Sequence, residues 1–355
     1  MISTEKRFGQ YVLRPATEIY KEVLLDVDHE GEGDGDGDDR GLQCSIPSRW
    51  TKLRLLEIRK YNHDTSFFRF ELPVGAPKLN LAPGSHLLVK APNREHGGGD
   101  AIRPYTTVSS EEEQVRTGTF ELLVKRYAEW GVKESLETHF LFTKTNHTYR
   151  PAGAVSNYIH SLSPGDDVEF KHVPEVCLGR FPLPLPLNVK TWTLIAVGVG
   201  VAPMISIIRH IFSTSDDSRV TLLYGVRECA DLLLKDILEG PEFPVERFKL
   251  IYCVGTRFAN IHMGAKTKNE HVPPPPPTGY NELELSRNSC KTIGWVNEDK
   301  IRTHGFPPCN DTRVIVCGLP GVYDKLCGSR FEPNSLTPGC ALSNLSYAAD
   351  SVLKL

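Results

Sequence analysis

The sequence predicts a β plus α/β protein in which an antiparallel barrel precedes a doubly wound parallel sheet. From about residue 49 to residue 173, short apolar runs alternate with turn residues, a spacing typical of antiparallel barrels. Beyond residue 188, nearly continuous apolar runs alternate with a helical pattern, as expected for a parallel sheet covered on both faces. A Pro-rich segment at 181–187 separates the two patterns.

The first region contains five runs with the length and composition of strands. These runs are 52–58, 67–72, 86–91, 120–127 and 167–173. The pairs Pro83-Gly84 and Pro164-Gly165 are typical of the turns between strands. One helix is predicted near Val155–Ser161, so this region is expected to be a barrel that carries a single short helix.

In the second region, four apolar runs predict buried parallel strands, at 192–197, 220–226, 249–254 and 313–318. Between the first two runs, apolar residues at 204, 207, 208 and 211 recur at helical spacing, and Pro203 suits the first turn of a helix. A strand, a helix and a strand in succession predict a doubly wound nucleotide-binding domain.

Two segments do not fit either pattern. Eight acidic residues and no Lys or Arg lie between Asp26 and Asp39, which predicts a disordered acidic tail over residues 1–46. The second segment, a Pro-rich insert at 256–291, contains five consecutive prolines that favour a polyproline II rod. It is either a surface insertion or a ligand for aromatic grooves of partner proteins. The predicted domains are therefore 47–180 for the barrel and 188–355 for the α/β domain.

Charge and composition exclude several classes of protein. The net charge is −3, and it becomes +5 once residues 26–39 are set aside, without any basic run that would indicate nucleic-acid binding. No apolar window approaches the roughly 20 residues that a membrane crossing needs, so no transmembrane segment is expected.

Nine cysteines without a C-x-x-C pair favour a reducing compartment and give no metal-ligand spacing. We expect a cytoplasmic location; a mitochondrial presequence is the alternative, although Glu5 and Glu18 argue against it.

The first candidate motif is Arg103-Pro104-Tyr105-Thr106, on a predicted barrel strand. A guanidinium pairs well with pyrophosphate oxygens, a phenol ring can pack on a flat cofactor, and a hydroxyl can hydrogen-bond a ring nitrogen. These properties would serve a flavin dinucleotide. Four residues alone are equally compatible with an Arg at a strand end and a Tyr in the core.

Two further motifs lie in the α/β domain. Gly198-Val199-Gly200-Val201-Ala202-Pro203 directly follows one strand and precedes a helix, where glycines admit a phosphate and the helix start supplies N–H donors. Pro203 replaces the third glycine of the usual fingerprint, so a plain β–α turn is the alternative. Cys317-Gly318 ends the last predicted strand, where ligands bind in open α/β sheets, but a free Cys is also commonly buried for structural reasons.

In this order the motifs resemble the ferredoxin reductase-like superfamily, and most closely the NADH–cytochrome b5 reductase family. Three further stretches support the resemblance, which covers about residues 50 to 355 apart from the Pro-rich insert: 123–127, 151–158 and 231–234. The resemblance implies a six-stranded antiparallel FAD-binding barrel followed by an NAD-binding α/β domain. Val199 stands where the family usually has Thr, Val322 stands in place of Met, and the chain ends in Leu355 where the family has an aromatic residue.

The resemblance assigns a set of residues to FAD. Arg103 would hold the pyrophosphate, Tyr105 would pack along the flavin, and Thr106 would contact its central ring in a catalytic role. Backbone N–H groups at a helix start, together with the Ser156 hydroxyl, would also hold the pyrophosphate. The FAD-binding residues implied are Arg103, Pro104, Tyr105, Thr106, Val124, Lys125, Ala154, Val155 and Ser156.

A second set is assigned to NADH: Gly198, Gly200, Pro203, Asp231, Cys317 and Gly318. The glycines and Pro203 would shape the pyrophosphate turn, while Cys317, the second residue with a catalytic role, and Gly318 would flank the nicotinamide. Asp231 resembles the family residue that favours NADH, because a carboxylate near the ribose repels the extra phosphate of NADPH.

Together these observations predict an FAD-dependent oxidoreductase that passes electrons from NADH to a one-electron protein acceptor such as cytochrome b5. The positive remainder of the chain suits an acidic haem protein, and we expect a monomer. Two alternatives stay open: an NADPH-dependent or differently coupled reductase of the same superfamily, and a non-catalytic paralogue that acts as a Pro-rich interaction protein.

Overall fold

A computed structural model describes most of the barrel and the α/β domain. The described residues are 44–94, 99–129, 152–172, 189–215, 217–255, 279–330, 332 and 335–355. Residues 1–43 of the predicted tail, the Pro-rich segment at 181–187 and residues 256–278 of the predicted insert lie outside them. Within the described residues, no helix has the length and apolar character that a membrane crossing requires.

The first domain is a six-stranded antiparallel sheet with the strand order β4-β3-β6-β1-β2-β5. Its strands are β1 (Thr51–Lys60), β2 (Thr65–Glu71), β3 (Leu87–Ala91), β4 (Ala101–Tyr105), β5 (Thr119–Lys125) and β6 (Asp167–Lys171). An isolated bridge between Thr107, just beyond β4, and Leu122 on β5 brings the two edges of the sheet together. The predicted antiparallel barrel is therefore confirmed.

Aromatic side chains from three strands fill the centre of the barrel. Phe70, Phe120 and Phe170 are fully buried, and their ring centroids lie 4.9–5.6 Å apart. Such contacts stabilise a core beyond the area they bury. Cys44 and Ile46 also pack into this core, so the last residues of the segment predicted as a tail belong to the barrel.

Among the residues described for the barrel, two segments form helices, α1 (Glu111–Thr117) and α2 (Ala154–Ile159). The sequence analysis identifies α2 but not α1. The Ser110 side chain caps α1 by accepting a hydrogen bond from the backbone N–H of Glu113, and Gly118 ends the helix in the left-handed region at φ 66°. A capping Ser three residues before a Glu is a recognised start signal, so the printed sequence does contain the information for α1.

The second domain is a six-stranded parallel sheet with the strand order β10-β9-β8-β7-β11-β12. Its strands are β7 (Thr191–Val197), β8 (Arg219–Val226), β9 (Phe248–Val254), β10 (Ser289–Ile293), β11 (Thr312–Cys317) and β12 (Val352–Lys354). Its helices are α3 (Val201–Thr214), α4 (Lys235–Leu238), α5 (Glu298–His304), α6 (Pro320–Leu326) and α7 (Ala341–Asn344). Separate apolar clusters cover the two faces, with Leu194 in one and Ile195 in the other, which confirms the doubly wound fold.

Strands β10 and β12 complete the sheet beyond the four strands predicted from the sequence. Because β10 begins at Ser289 and pairs with β9, the last three residues of the segment predicted as an insert belong to the sheet. Strand β12 is only three residues long and pairs with β11. Neither strand is long and apolar enough to resemble the buried central strands from which the sheet is predicted.

One cluster of buried apolar side chains contains residues of both domains. Phe67, Val108 and Leu123 of the barrel pack in the same cluster as the buried face of α3, and we call this contact the apolar seam. Two hydrogen bonds cross it: the Gly84 N–H donates to Ser206 Oγ at 2.9 Å, and Arg209 Nη1 donates to the Val108 carbonyl at 2.8 Å. Strand β5 also packs against the turn that follows β7, so the carboxyl edge of the parallel sheet faces the barrel.

Candidate cofactor site

The Arg-Pro-Tyr-Thr motif lies at the end of β4. Arg103, Tyr105 and Thr106 are each half-buried, and Arg103 Nη1 donates to the Ile102 carbonyl at 2.7 Å. Burial raises the pKa of Tyr105, with a further contribution from the Tyr127 phenol, so Tyr105 presents a neutral aromatic ring. The Thr106 hydroxyl makes no hydrogen bond with any residue that the structure describes, which leaves it available to a ligand.

Beside this strand, helix α2 begins at Gly153 without a side-chain cap. A Cβ on Gly153 would lie 2.5 Å from Ser156 Oγ and 3.0 Å from the Tyr127 Cβ, so only glycine fits. Asn157 Nδ2 holds this approach by donating to the carbonyls of Tyr127 and Gly153, each at 2.8 Å. The first-turn amides of a helix have no partner within the helix, and here they are offered to an acceptor such as a phosphate oxygen.

Val155 and Val124 have a different role in the structure from the polar members of the predicted set. Both side chains are buried in the barrel core, which leaves their backbone groups as the parts that a cofactor could contact. The Val124 carbonyl already lies 3.0 Å from His160 Nε2. Ala154 packs against the same core, and Pro104 pairs with Leu88 on β3.

Across the cleft, the turn after β7 forms a short 3-10 segment, Gly198–Gly200, that leads directly into α3. Gly198 has φ +58°, and a Cβ there would meet no atom within 4 Å, so the turn opens onto free space. Gly200 is the opposite case, because a Cβ would lie 2.7 Å from the carbonyl carbon of Cys317. Pro203 is buried in the first turn of α3, where its missing N–H costs no helical hydrogen bond.

The contact at Gly200 brings together two motifs that are far apart in the sequence. Cys317 ends β11 and is half-buried, and burial raises the pKa of its thiol, which therefore stays neutral. The next residue, Gly318, donates its N–H to the Tyr323 hydroxyl at 3.2 Å. The Gly-rich turn and the Cys-Gly turn thus form one wall of the cleft.

Tyr127 connects the two walls. Burial raises its pKa to about 12, with contributions from Asp64 and from the Cys317 thiol. The same phenol contributes to the raised pKa of Tyr105. Tyr105 on the barrel and Cys317 on the sheet are therefore both within electrostatic reach of one side chain, and the packing of β5 against the turn after β7 places the barrel wall next to the sheet wall.

Lys125 and Asp231 meet at the edge of this cleft. Lys125 Nζ lies 2.9 Å from both Asp64 Oδ2 and Asp231 Oδ1, and Arg227 Nε lies 3.2 Å from Asp231 Oδ2. The Asp231 side chain is only 6% exposed. We call His63, Asp64, Lys125, Arg227 and Asp231 the ionic seam, because they join the barrel to the sheet through charges.

The environment of Asp64 shows the strength of this pairing. Burial acts to raise its pKa, yet the pKa of Asp64 lies below its usual value because Lys125 and Thr65 hydrogen-bond to the carboxylate. His63, Asp64 and Asp231 offer ligand atoms within 4.8 Å of one another, which is the arrangement of a metal site. Because the Lys125 ammonium already bridges the two carboxylates, the cluster is better described as a salt-bridge network.

The sequence analysis assigns no role to Asp64, Tyr127 or Gly153, all of which the structure places in the site. The residues before Asp64 do contain a local turn signal. Asn62 Oδ1 accepts hydrogen bonds from the backbone N–H groups of Asp64 and Thr65, as in an Asx turn. That pattern predicts a turn, but nothing in it indicates that the turn meets the other domain.

The donor set fits the two cofactors expected from the sequence. A helix start without a side-chain cap and an arginine on the neighbouring strand β4 suit a pyrophosphate, and a neutral phenol beside an available hydroxyl suits a flat ring. On the other wall, an open glycine turn at the start of the 14-residue helix α3 suits a second pyrophosphate. The individual residue roles stay predictions.

Comparison with known proteins identifies both domains. The family model described as an oxidoreductase FAD-binding domain matches residues 52–174, and the one described as an oxidoreductase NAD-binding domain matches residues 194–271. The cytochrome b5 reductase domain of Ulva prolifera nitrate reductase has the same fold, with a TM-score of 0.57 at 22% identity over 88% of this chain and 99% of that one. The prediction of an FAD-binding and an NAD-binding domain is thus confirmed.

Full-length relatives extend this result. NADH-cytochrome b5 reductase 2 of Aspergillus terreus is 30% identical over 312 residues, which span 86% of this chain and 78% of that protein. NADH-cytochrome b5 reductase 3 of Rattus norvegicus is 29% identical over 295 residues, with 79% and 81% covered. On these grounds, the chain belongs to the NADH–cytochrome b5 reductase family of FAD- and NAD-binding oxidoreductases.

Proposed function

We propose that this protein oxidises NADH through FAD and passes the electrons one at a time to a haem protein of the cytochrome b5 type. The observation that carries the proposal is the packing of the barrel strand β5 against the Gly-rich turn after β7, which itself contacts Cys317, so the two predicted cofactor-binding regions adjoin each other. A hydride donor and a hydride acceptor must be held in contact, and two walls from different domains supply that geometry.

On the barrel wall, the protein binds and orients the flavin dinucleotide. When bound, FAD supplies the exchange between a two-electron donor and a one-electron acceptor. The Arg103 guanidinium and the amides at the start of α2 hold the pyrophosphate, and Ser156 keeps the helix start in place through its bond to the Gly153 carbonyl at 3.2 Å. The Thr106 hydroxyl, directly after β4, can hydrogen-bond the ring system.

On the sheet wall, the protein binds NADH and excludes charge from the path of the hydride. The turn at Gly198 and the start of α3 hold the pyrophosphate, with backbone donors and the positive end of the helix. Cys317 and Gly318 flank the nicotinamide. Because the raised pKa of Cys317 keeps its thiol neutral, the residue supplies a polarisable surface without a negative charge.

The choice between NADH and NADPH depends on Asp231. An uncompensated carboxylate beside the ribose would repel the extra phosphate of NADPH, but Asp231 is neutralised by Lys125 and Arg227. These two cations favour a second candidate function, a reductase that also accepts NADPH. We retain NADH as the preferred donor, with weaker discrimination than an unpaired carboxylate would provide.

The electron acceptor is proposed from charge. A net charge of +5 outside residues 26–39 would favour encounter with an acidic haem protein, and that attraction weakens with salt. We further propose that the protein acts as a monomer in the cytoplasm, with a barrel domain that includes Cys44 and Ile46 and ends near residue 180, and an α/β domain at 188–355.

Absorbance spectra of the purified protein under anaerobic conditions test the proposal. We expect flavin bands that bleach on addition of NADH and recover when oxidised cytochrome b5 is added. Arg103→Ala should lower the FAD content, whereas Arg54→Ala, at an exposed arginine of the same barrel, should leave it unchanged. A folded but colourless protein would overturn the proposal in favour of a non-catalytic interaction protein, and equal rates with NADPH would favour the second candidate.

A further inference from the structure

Tyr323 on α6 connects two chain segments that end beside the nicotinamide wall. The residue is 1% exposed, and its hydroxyl accepts a hydrogen bond from the Gly318 N–H at 3.2 Å. The same hydroxyl donates to the carbonyl oxygen of Leu355, directly after β12. One O–H group thus joins the turn after β11 to the end of the neighbouring strand.

The turn that Tyr323 holds has little room to move. A Cβ on Gly318 would lie 3.2 Å from the Cβ of Val197 and 3.2 Å from Val322 Cγ2, so side chains of β7 and α6 enclose the residue. On its other side, the backbone of Cys317 is packed against Gly200. A displacement of Gly318 would therefore shift the Gly-rich turn and the Cys317 thiol together.

An arginine side chain also contacts the Tyr323 ring. The Arg330 guanidinium lies over it, 5.9 Å from the ring centroid. The loop that carries Arg330 is anchored by Lys354 Nζ, which donates to the carbonyls of Ser329, Glu332 and Ser335 at 2.8–3.0 Å. Burial raises the pKa of Tyr323, so the hydroxyl keeps its proton and continues to donate to Leu355.

We propose that Tyr323 is a positioning residue for hydride transfer, and this inference rests on the proposed function. Its hydroxyl sets the place of Gly318 and Cys317, and hence the distance between the nicotinamide and the flavin. Rates of transfer between bound reactants are steep in that distance, because a misplacement of about 1 Å can cost roughly a hundredfold. Tyr323→Phe removes the hydroxyl and keeps the ring.

The test uses the full chain with FAD bound and follows anaerobic flavin reduction by NADH in stopped flow. We expect Tyr323→Phe to slow reduction between about tenfold and a hundredfold and to raise the primary deuterium isotope effect, with unchanged FAD content. Tyr347→Phe is the matched control, since Tyr347 is also buried in the α/β domain and donates to the Phe306 carbonyl. It should lower the melting temperature but leave the reduction rate within about twofold of the wild type.

A second variant keeps the test decisive if Tyr323→Phe folds poorly. Arg330→Gln leaves the hydroxyl in place and removes the contact over the ring together with a positive charge that acts on Cys317, so reduction should slow by about twofold to threefold in the same direction. Unchanged reduction rates and isotope effects in both variants, even with lower melting temperatures, would overturn the positioning role. If the wild-type flavin is not reduced by NADH at all, the proposed function itself fails, and the inference fails with it.

Discussion

The interface between the domains has an apolar half and an ionic half, and the two halves stabilise the interface in different ways. In the apolar seam, Phe67, Val108 and Leu123 pack against α3 and exclude water. In the ionic seam, Lys125 lies between Asp64 and Asp231. Apolar burial is non-directional and independent of pH, whereas a charge network specifies which atoms meet and loses stability when one partner is removed.

The comparison shows how the site is supported. The apolar seam supplies the free energy that docks the sheet on the barrel. The ionic seam orients Lys125 and Asp231, the two residues that the sequence assigns to different cofactors. The ion pairs of the ionic seam add little net stability to the folded protein, because charged groups lose hydration when they are buried. We therefore expect substitutions in the apolar half to have the larger effect on unfolding.

The largest effect is expected for Ile207→Ala in the apolar seam. Ile207 is 1% exposed, and a Cβ added to Gly84 of the other domain would lie 3.0 Å from the Ile207 Cδ1 atom. Truncation leaves a cavity and should lower the free energy of unfolding by about 2–5 kcal/mol, measured by urea denaturation. Leu56→Ala, at a residue that is 42% exposed, is the control and should change it by less than about 0.5 kcal/mol. Equal losses in the two variants would contradict the assignment of α3 to the docking surface.

A smaller effect is expected for Lys125→Met in the ionic seam. The substitution leaves Asp64 without its main cation, while Arg227 still pairs with Asp231, so the loss should be about 1–3 kcal/mol. Adding Asp231→Asn should recover part of that loss, because it removes the second carboxylate that Lys125 compensated in the wild type and so relieves the repulsion of Asp64. Lys52→Met, at an exposed lysine, serves as the control. A fully additive double variant would show that Lys125 and Asp231 are not coupled.

The smallest effect is the contribution of Asp64 to the pH dependence of stability. Its folded pKa is depressed, so the stability it contributes is present above its ordinary value of 3.8 and is lost as pH falls through the folded pKa. The wild type should therefore lose up to about 1 kcal/mol more than Asp64→Asn between about pH 5 and pH 2. Asp217→Asn, at an exposed site, should follow the wild-type curve; a wild-type curve that matches Asp64→Asn would contradict the pairing.

Local patterns predict most of the fold for physical reasons. The four central strands of the α/β domain are recognisable because both of their faces are buried, which requires nearly continuous apolar sequence. Strands β10 and β12 lie at the edges of the sheet, and Lys291 and Lys354 within them donate to loop carbonyls, so their composition does not resemble that of a buried strand. Helix α1 is predictable in principle from Ser110 and Glu113, since its start signal is local.

Local sequence patterns likewise predict one part of the candidate site and not the other. The motifs at Arg103, Gly198 and Cys317 can be found in the sequence because each needs particular residue types in consecutive positions. The pairing of Lys125 with Asp231 joins residues that are 106 positions apart, and no periodicity links them. The contact between Gly200 and Cys317 is equally remote, and it depends on which strands are neighbours in the sheet.

By itself, the sequence determined the class of each domain, their order and the three motifs, because strand burial, turn residues and helix starts are set by neighbours along the chain. Only the tertiary structure decided that Tyr105 and Cys317 both come within electrostatic reach of Tyr127, that Asp231 is neutralised by Lys125 and Arg227, and that Tyr323 holds Gly318. These contacts depend on how two packed domains dock, and docking is governed by whole surfaces rather than by any local pattern.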